Sequence, residues 1–305
     1  MAFAPAPSNS PRRPDARVRS ADLEVPLIAV LFPGQGSQTP DMRSVTERVR
    51  PDLLELCQDE LGLDPFENVS EGTHMAQPAI YCASLAGWSL LNDTDTDVSL
   101  MAGHSLGEFA ALVAAGAMSE RDGLKLVALR GKLMHRATGG GMMAVGAPVD
   151  DARDLADRFG LTLANDNSPE QVVLSGDAVA VDAACNRAKV EGLRAARLRV
   201  SGAFHSPAMG TAAPELEQAL SDTELGEPRV PVYSGVTAAP FDDIRTRLVE
   251  GLTSPVRWRE VVIALRERGV TRFLEVGPGR VLTGLVRKTL DGVEAEVVSE
   301  EPACA

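Results

Sequence analysis

Ser105 stands in Gly103-His104-Ser105-Leu106-Gly107, a Gly-x-Ser-x-Gly pentapeptide. The apolar run Val98-Ser99-Leu100-Met101-Ala102 precedes it, and the helix-like stretch Glu108-Phe109-Ala110-Ala111-Leu112-Val113 follows. Strand, sharp turn and helix in that order describe a nucleophile elbow, which holds a serine hydroxyl in the open beside a helix N-terminus. The turn is strained, so small residues must flank the serine. On its own the pentapeptide is a weak signal, because it also arises by chance. A working serine needs three further things: a base, an oxyanion hole and a substrate anchor.

The chain has four histidines. His74 falls in a loop-like stretch before a helix that starts at Gln77-Pro78. His135 closes a helix, where an imidazolium complements the dipole. His104 adjoins the serine, and a neighbour on the turn points its ring elsewhere. His205, in Ser201-Gly202-Ala203-Phe204-His205-Ser206-Pro207, remains as the candidate base. The alternative for it is a histidine at a helix N-terminus, held by packing. No acid stands out as a third triad member, and a backbone carbonyl can hold the other ring nitrogen. A Ser–His dyad is therefore expected. An elbow enzyme builds its oxyanion hole from the N–H after the nucleophile, here Leu106, and one from a second loop. Pro33-Gly34-Gln35-Gly36-Ser37-Gln38 suits that second loop, since its glycines allow close backbone approach. A dinucleotide-binding reading of this loop fails at Thr39, where the third glycine would stand, and no Gly-Lys-Ser/Thr follows. Arg130 lies in the apolar stretch Leu126-Val127-Ala128-Leu129-Arg130-Gly131-Lys132-Leu133-Met134. A guanidinium in such a setting wants a carboxylate and can bind one bidentately. That carboxylate could belong to a substrate or to a protein acid.

These groups need a frame. Leu27-Ile28-Ala29-Val30-Leu31-Phe32 reads as a buried strand. Helices are expected near 45–61 and 78–91, a strand at 98–102, and helices near 107–115 and 120–136. Alternating strands and helices imply an α/β fold with a mainly parallel sheet covered on both faces. Gly139-Gly140-Gly141 breaks the pattern. Next come a strand at 142–146, a helix at 150–159, and strands at 161–164 and 172–175 around the turn Asn165-Asp166-Asn167-Ser168-Pro169. A helix at 179–190 and a strand at 195–200 complete the ferredoxin-like order βαββαβ. Strands near 231–234, 272–276 and 294–298 and helices near 242–251, 258–268 and 280–290 resume the first pattern. The expected organisation is a large domain over 25–137 and 202–300, an inserted small domain over 138–201, and a disordered leader over 1–24, rich in Ala, Pro, Ser and Arg.

Bulk properties exclude several classes. Of 305 residues, 44% are hydrophobic, enough for a substantial core, yet no run of eighteen apolar residues exists to cross a membrane. The leader has no apolar segment after its arginines, so it is no secretory signal. Cys57, Cys82, Cys185 and Cys304 show no C-x-x-C pairing and no metal-like spacing with histidine. A reduced, cytoplasmic chain without a structural zinc site is expected. The formal net charge of −13 disfavours nucleic acid as a partner. An acidic protein partner would need a local basic patch, for which Arg187, Lys189, Arg194 and Arg197, or Arg280, Arg287 and Lys288, are candidates.

Seven segments in one order carry a resemblance. They are Phe32-Pro33-Gly34-Gln35-Gly36-Ser37-Gln38, Gln77-Pro78-Ala79, Gly103-His104-Ser105-Leu106-Gly107-Glu108, Arg130-Gly131-Lys132, Asn167-Ser168-Pro169 with Gln171-Val172-Val173, Phe204-His205-Ser206, and Glu275-Val276-Gly277-Pro278-Gly279. Over about residues 27–290 the chain resembles the malonyl-CoA:acyl-carrier-protein transacylase family, the acyltransferases of fatty acid and polyketide synthesis. The resemblance implies an α/β-hydrolase-like large domain and a ferredoxin-like small one. It makes Ser105 the acyl-accepting nucleophile, His205 its base, and the N–H groups of Gln35 and Leu106 the oxyanion hole. Arg130 would bind the free carboxylate of malonyl, with Gln77, Met143, Phe204 and His104 also on the substrate side. The carbonyl of Gly251 would orient the histidine, at a position where many members carry glutamine. Asp41 replaces a common glycine. Malonyl-CoA is the implied substrate, and an acyl carrier protein bearing phosphopantetheine is the implied partner. No permanently bound cofactor or metal is implied. The alternatives are a discrete acyltransferase serving a polyketide synthase, with malonyl or an unusual extender unit, and a proofreading acyl hydrolase on the same scaffold.

Overall fold

The computed structural model describes Met1 and residues 26–300, so the leader expected over 1–24 falls, apart from Met1, outside the described residues. The first strand, β1 (Leu27–Phe32), shows how the frame is built. Side chains on a strand alternate between faces. Ile28, Val30 and Phe32 face one core with Leu53, Ile80, Phe109, Leu112 and Val127, while Ala29 and Leu31 face a second core with Trp258, Val261, Leu265, Phe273 and Leu285. Burying each large apolar side chain on such a strand contributes about 1.5–3 kcal/mol, which is why the run has no polar member.

The elements of the first half are α1 (Met42–Val49), α2 (Pro51–Leu61), α3 (Thr73–Asn92), β2 (Leu100–Gly103), α4 (Gly107–Ala114) and α5 (Glu120–Arg136), with a short 3-10 turn at Val69–Glu71. Then come β3 (Gly140–Gly146), α6 (Val149–Phe159), β4 (Thr162–Ser168), β5 (Gln171–Asp177), α7 (Ala178–Val190) and β6 (Arg194–Arg197). A 3-10 stretch, Pro207–Ala212, leads into α8 (Ala213–Ser221), and β7 (Val232–Tyr233), α9 (Ile244–Thr253), α10 (Trp258–Glu267), β8 (Val270–Glu275), α11 (Val281–Thr289) and β9 (Glu294–Val297) close the chain.

Two sheets result. One has five strands in the order β7-β2-β1-β8-β9, every neighbouring pair parallel. The other has four antiparallel-paired strands in the order β4-β5-β3-β6. On one face of this second sheet, Met143, Val145, Val172 and Leu174 pack on Ala152, Leu155, Val181 and Ala184 of α6 and α7. On the other face, Met142, Ala164 and Val173 join the large core. The sheets are tied directly: Asp166 N–H donates to the Val256 carbonyl at 2.9 Å, and Arg259 pairs with the buried Asp166 carboxylate at 2.7 Å.

Four expectations are corrected. The helix expected over 45–61 is two helices, α1 and α2, broken at Arg50 (φ −142, ψ 68), because the residue before a proline is pushed out of the α region. Helix α3 begins at Thr73 rather than at Pro78, so His74 is helical; packing of this turn against Gly131 of α5 outweighs the N–H that Pro78 lacks. Residues 165–168, read as a turn, continue β4, because Val256 and Arg259 satisfy the N–H and the carboxylate of Asp166. The 3-10 stretch and α8 between His205 and β7 were not anticipated at all.

Candidate active site

Parallel pairing of β1 with β2 brings Phe32 opposite Gly103. The loops that leave these two strands therefore emerge side by side, at the carboxyl edge where open α/β sheets bind ligands. His104 N–H donates to the Phe32 carbonyl at 2.9 Å and pins the elbow to β1. A Cβ on Gly103 would lie 2.1 Å from the Glu108 nitrogen, and one on Gly107 2.1 Å from the Phe32 oxygen. Both elbow positions thus require glycine. Ser105 itself has φ 55, in the left-handed region, which costs a non-glycine residue of order 1–3 kcal/mol. His205 is held at φ 56, so both members of the expected dyad sit on strained backbone.

The hydroxyl Oγ of Ser105 lies 2.9 Å from Nε2 of His205, and Nδ1 of His205 lies 2.8 Å from the carbonyl oxygen of Gly251. A carbonyl only accepts, so Nδ1 carries the proton and Nε2 presents a lone pair to the serine. The other side of the hydroxyl is fixed as well. Arg130 donates from Nη2 to Ser105 Oγ at 2.8 Å and from Nη1 to Gln77 Oε1 at 2.8 Å. Serine therefore accepts from Arg130, and its own proton points at His205. Gln77 in turn donates to the sulfur of Met134 at 3.1 Å.

Electrostatics keep the histidine unprotonated. Burial, then the Arg130 charge, then His104 push the His205 pKa down to about 3. Burial lowers Arg130 to about 10, which leaves it a cation at neutral pH, with Glu108 acting in the opposite sense. The guanidinium is 3% exposed and makes its hydrogen bonds to neutral groups, so a buried cation waits beside the nucleophile without a bonded anion.

Gly34 packs so tightly on the elbow that a Cβ there would meet the His104 oxygen at 2.5 Å. The Gln35 side chain, on the exposed part of that loop, reaches Thr73 Oγ1 at 3.2 Å. The close approach of Gly34 to His104 sets the loop of Gln35 against the turn that carries Leu106. Phe204 is buried in the large core beside His205.

Two residues expected on the substrate side are engaged by protein groups. Met143 faces α6 and α7, away from the dyad; strand alternation gives Met142, its neighbour, the face that joins Phe204 in the large core. The His104 ring bonds Asn167 Oδ1 at 2.9 Å and lies 5.4 Å from the Trp258 ring, so it ties the elbow to β4. Sequence reasoning missed Met134 and Glu108. Met134 is one helical turn after Arg130, and that i, i+4 spacing was the signal available. Glu108, 4% exposed, follows the elbow within the quoted motif. Among the basic candidates, Arg187 pairs with Glu191 and Arg197 with Asp182, while Lys288 reaches from α11 to Gln171 of the second sheet. Among the described residues no His/Cys/Asp/Glu cluster could hold a metal, and no helix is long and apolar enough to cross a membrane.

The acyl transferase domain family matches residues 46–301. The polyketide biosynthesis protein ThaF of Burkholderia thailandensis is 41% identical over 283 residues; the match covers 87% of this chain and 24% of that longer protein. The malonyl CoA-acyl carrier protein transacylase of Synechocystis is 39% identical over 282 residues, 86% of this chain and 93% of the relative. Among solved structures, a malonyl-transacylase called PlMCAT, in complex with the type II polyketide synthase acyl-carrier protein AntF, superposes with a TM-score of 0.84 at 36% identity, covering 90% of this chain and 96% of that one. The chain therefore belongs to the acyl transferase family, in its branch of malonyl-CoA–acyl carrier protein transacylases.

Proposed function

We propose that this enzyme moves a malonyl group from malonyl-CoA to the phosphopantetheine thiol of an acyl carrier protein through an acyl-Ser105 intermediate. The observation that carries the reading is the convergence of His205 Nε2 and Arg130 Nη2 on one hydroxyl, at 2.9 and 2.8 Å. In the first half-reaction Ser105 Oγ attacks the thioester carbonyl and its proton passes to His205 Nε2. The oxyanion is held by the N–H groups of Gln35 and Leu106, and losing one such donor typically costs about 3–4 kcal/mol. Collapse breaks the C–S bond, and His205 returns the proton to the departing CoA thiol. In the second half His205 takes the proton of the carrier's thiol, the sulfur attacks the ester, and Ser105 Oγ leaves with that proton.

Arg130 gives the carboxylated acyl group its place. Once malonyl is bound, its carboxylate replaces the serine hydroxyl as the guanidinium's partner. The same anion cancels the charge that depresses His205 and so raises the basicity of the base when the right substrate arrives. An acetyl group does neither. Gln77 and Met134 fix the guanidinium from behind, and Gly251 sets the tautomer. Its glycine removes a side chain without removing the carbonyl that His205 uses.

We further assign the second sheet, with its βαββαβ order, as a ferredoxin-like small domain over 138–201 inserted in an α/β-hydrolase-like large one. Its β4 end supplies Asn167 to the elbow. Three buried free thiols suit the reducing cytoplasm. Incubation with malonyl-CoA, followed by intact-mass measurement with and without carrier protein, tests the reading. An adduct that carrier protein removes as malonyl-carrier supports it. Release of free malonate without carrier would instead make the protein a hydrolase.

A further inference from the structure

One buried acid shares the cavity of the reacting groups and has no role in the proton transfers described above. Glu108, the second residue of α4, lines the same small cavity as Ser105, Arg130 and His205, with Val236 and Gly251 in its wall. Its Oε1 accepts the Gly235 N–H at 2.6 Å, and Ser234 supplies a further hydrogen bond. Its Oε2 faces Gly251, where a Cβ would stand 3.9 Å away. Arg130 directs Nη1 and Nη2 to Gln77 and Ser105, so it acts on Glu108 through space and not through a shared hydrogen bond.

The surrounding charges leave Arg130 as the cation that matters. His205 and His104, on the elbow side, are both held toward the neutral form by burial. Arg257 grips the far side of the 234–237 loop through the Val236 and Thr237 carbonyls and pairs with Glu260. On α9, Arg247 pairs with Asp242 and Glu250, and Arg245 bonds the Leu220 and Thr223 carbonyls. Burial raises the Glu108 pKa to about 7, against the downward pull of Gly235, Arg130 and Ser234.

We propose that Glu108 competes with the acyl carboxylate for the field of Arg130, so that binding of malonyl-CoA is coupled to uptake of one proton by Glu108. The inference rests on the malonyl reading above. One guanidinium in a low-dielectric cavity cannot balance two carboxylates, and like charges in one site drive the weaker acid to protonate. Below the Glu108 pKa the acid is already neutral, the site is cationic, and malonyl enters freely. Above it the site is neutral overall, and each malonyl that enters must bring a proton from solvent to Glu108. The KM for malonyl-CoA then climbs with pH, approaching about tenfold per unit in the limit of one linked proton. Glu108 is on this account a positioning residue that acts through Arg130.

The test is steady-state malonyl transfer from about pH 6 to 9, the span in which a group near pH 7 changes charge, with wild type and Glu108→Gln. Glutamine keeps an oxygen for the Gly235 N–H and removes the charge. Wild type is expected to show a rising KM for malonyl-CoA above neutrality, and E108Q a flat one; the KM for acetyl-CoA stays flat in both. A flat wild-type KM, or an equal slope in E108Q, overturns the proposal. Should E108Q not fold, calorimetry of malonyl-CoA binding to Ser105→Ala in buffers of different ionisation enthalpy decides. Uptake of close to one proton at about pH 8, with none for acetyl-CoA, supports the linkage, and no uptake overturns it. Malonyl transfer without any pH slope refutes Glu108 coupling alone, whereas no malonyl adduct at all refutes the reading beneath it.

Discussion

Arg130 is the residue on which substrate choice turns. It is buried, cationic and bonded to neutral groups, a combination that is costly unless an anion arrives. Replacing it with alanine is expected to weaken malonyl transfer by about 1.5–3 kcal/mol, the range for hydrogen bonds to a charged group, or roughly ten- to a hundredfold in kcat/KM. Acetyl transfer should change far less; competition between the two thioesters reads the ratio. His205 makes a second prediction. A base with its pKa near 3 is neutral across the physiological range. Below neutrality kcat/KM, which reports the free enzyme, should therefore not lose its base down to about pH 5, failing only as pH falls toward 3. An unfolded histidine titrates near 6.5, so from about pH 6.5 down to about 3 the unfolded chain takes up a proton that buried His205 does not. Stability contributed by neutral His205 is thus lost as pH falls through that window, which acid denaturation would follow. At this scale the sequence was informative where a residue type has few other uses: a serine in an elbow, a histidine after the second set of strands, an arginine among leucines. It did not fix which way Met143 faces. Resemblance locates a strand position, but one step along a strand reverses the face, and only three-dimensional packing distinguishes Met142 from Met143.

The elbow and its partner loop are the elements that do the positioning. They were legible because their glycines answer to local sterics: Gly103 and Gly107 touch backbone within the turn and on β1. Gly107→Ala should accordingly destabilise the fold by about 3 kcal/mol or more, since its clash is with backbone that cannot step aside. A fall in thermal midpoint of several degrees checks this, and an unchanged midpoint would mean that the turn relaxes. Where tertiary contacts decide, local signals failed. Residues 165–168 have turn composition, yet Arg259 and the Val256 carbonyl satisfy Asp166 and let the strand continue. Helix α3 starts five residues before its proline because α5 supplies the packing surface. The proline break at Arg50-Pro51 was visible in principle, and the longer apolar pattern concealed it.

For the whole molecule the question of design is how a chain this acidic would meet an acidic protein partner. The net charge of −13 repels such a partner at long range, so productive contact needs local positive charge. Arg187 and Arg197 already have acidic partners on the surface. Lys288, exposed on α11, reaches Gln171 at the seam between the two sheets, and Arg280 is exposed at the residue before α11. Reversing their charge is expected to slow carrier malonylation about tenfold at low salt, as loss of steering does, while leaving malonyl-enzyme formation unchanged; equal slowing of both halves would place docking elsewhere. The central claim is narrower and rests on one atom. Intact-mass measurement of the protein after brief exposure to malonyl-CoA should find a single malonyl group on wild type, discharged by carrier protein, and none on Ser105→Ala. A malonyl adduct that persists in Ser105→Ala would contradict the account.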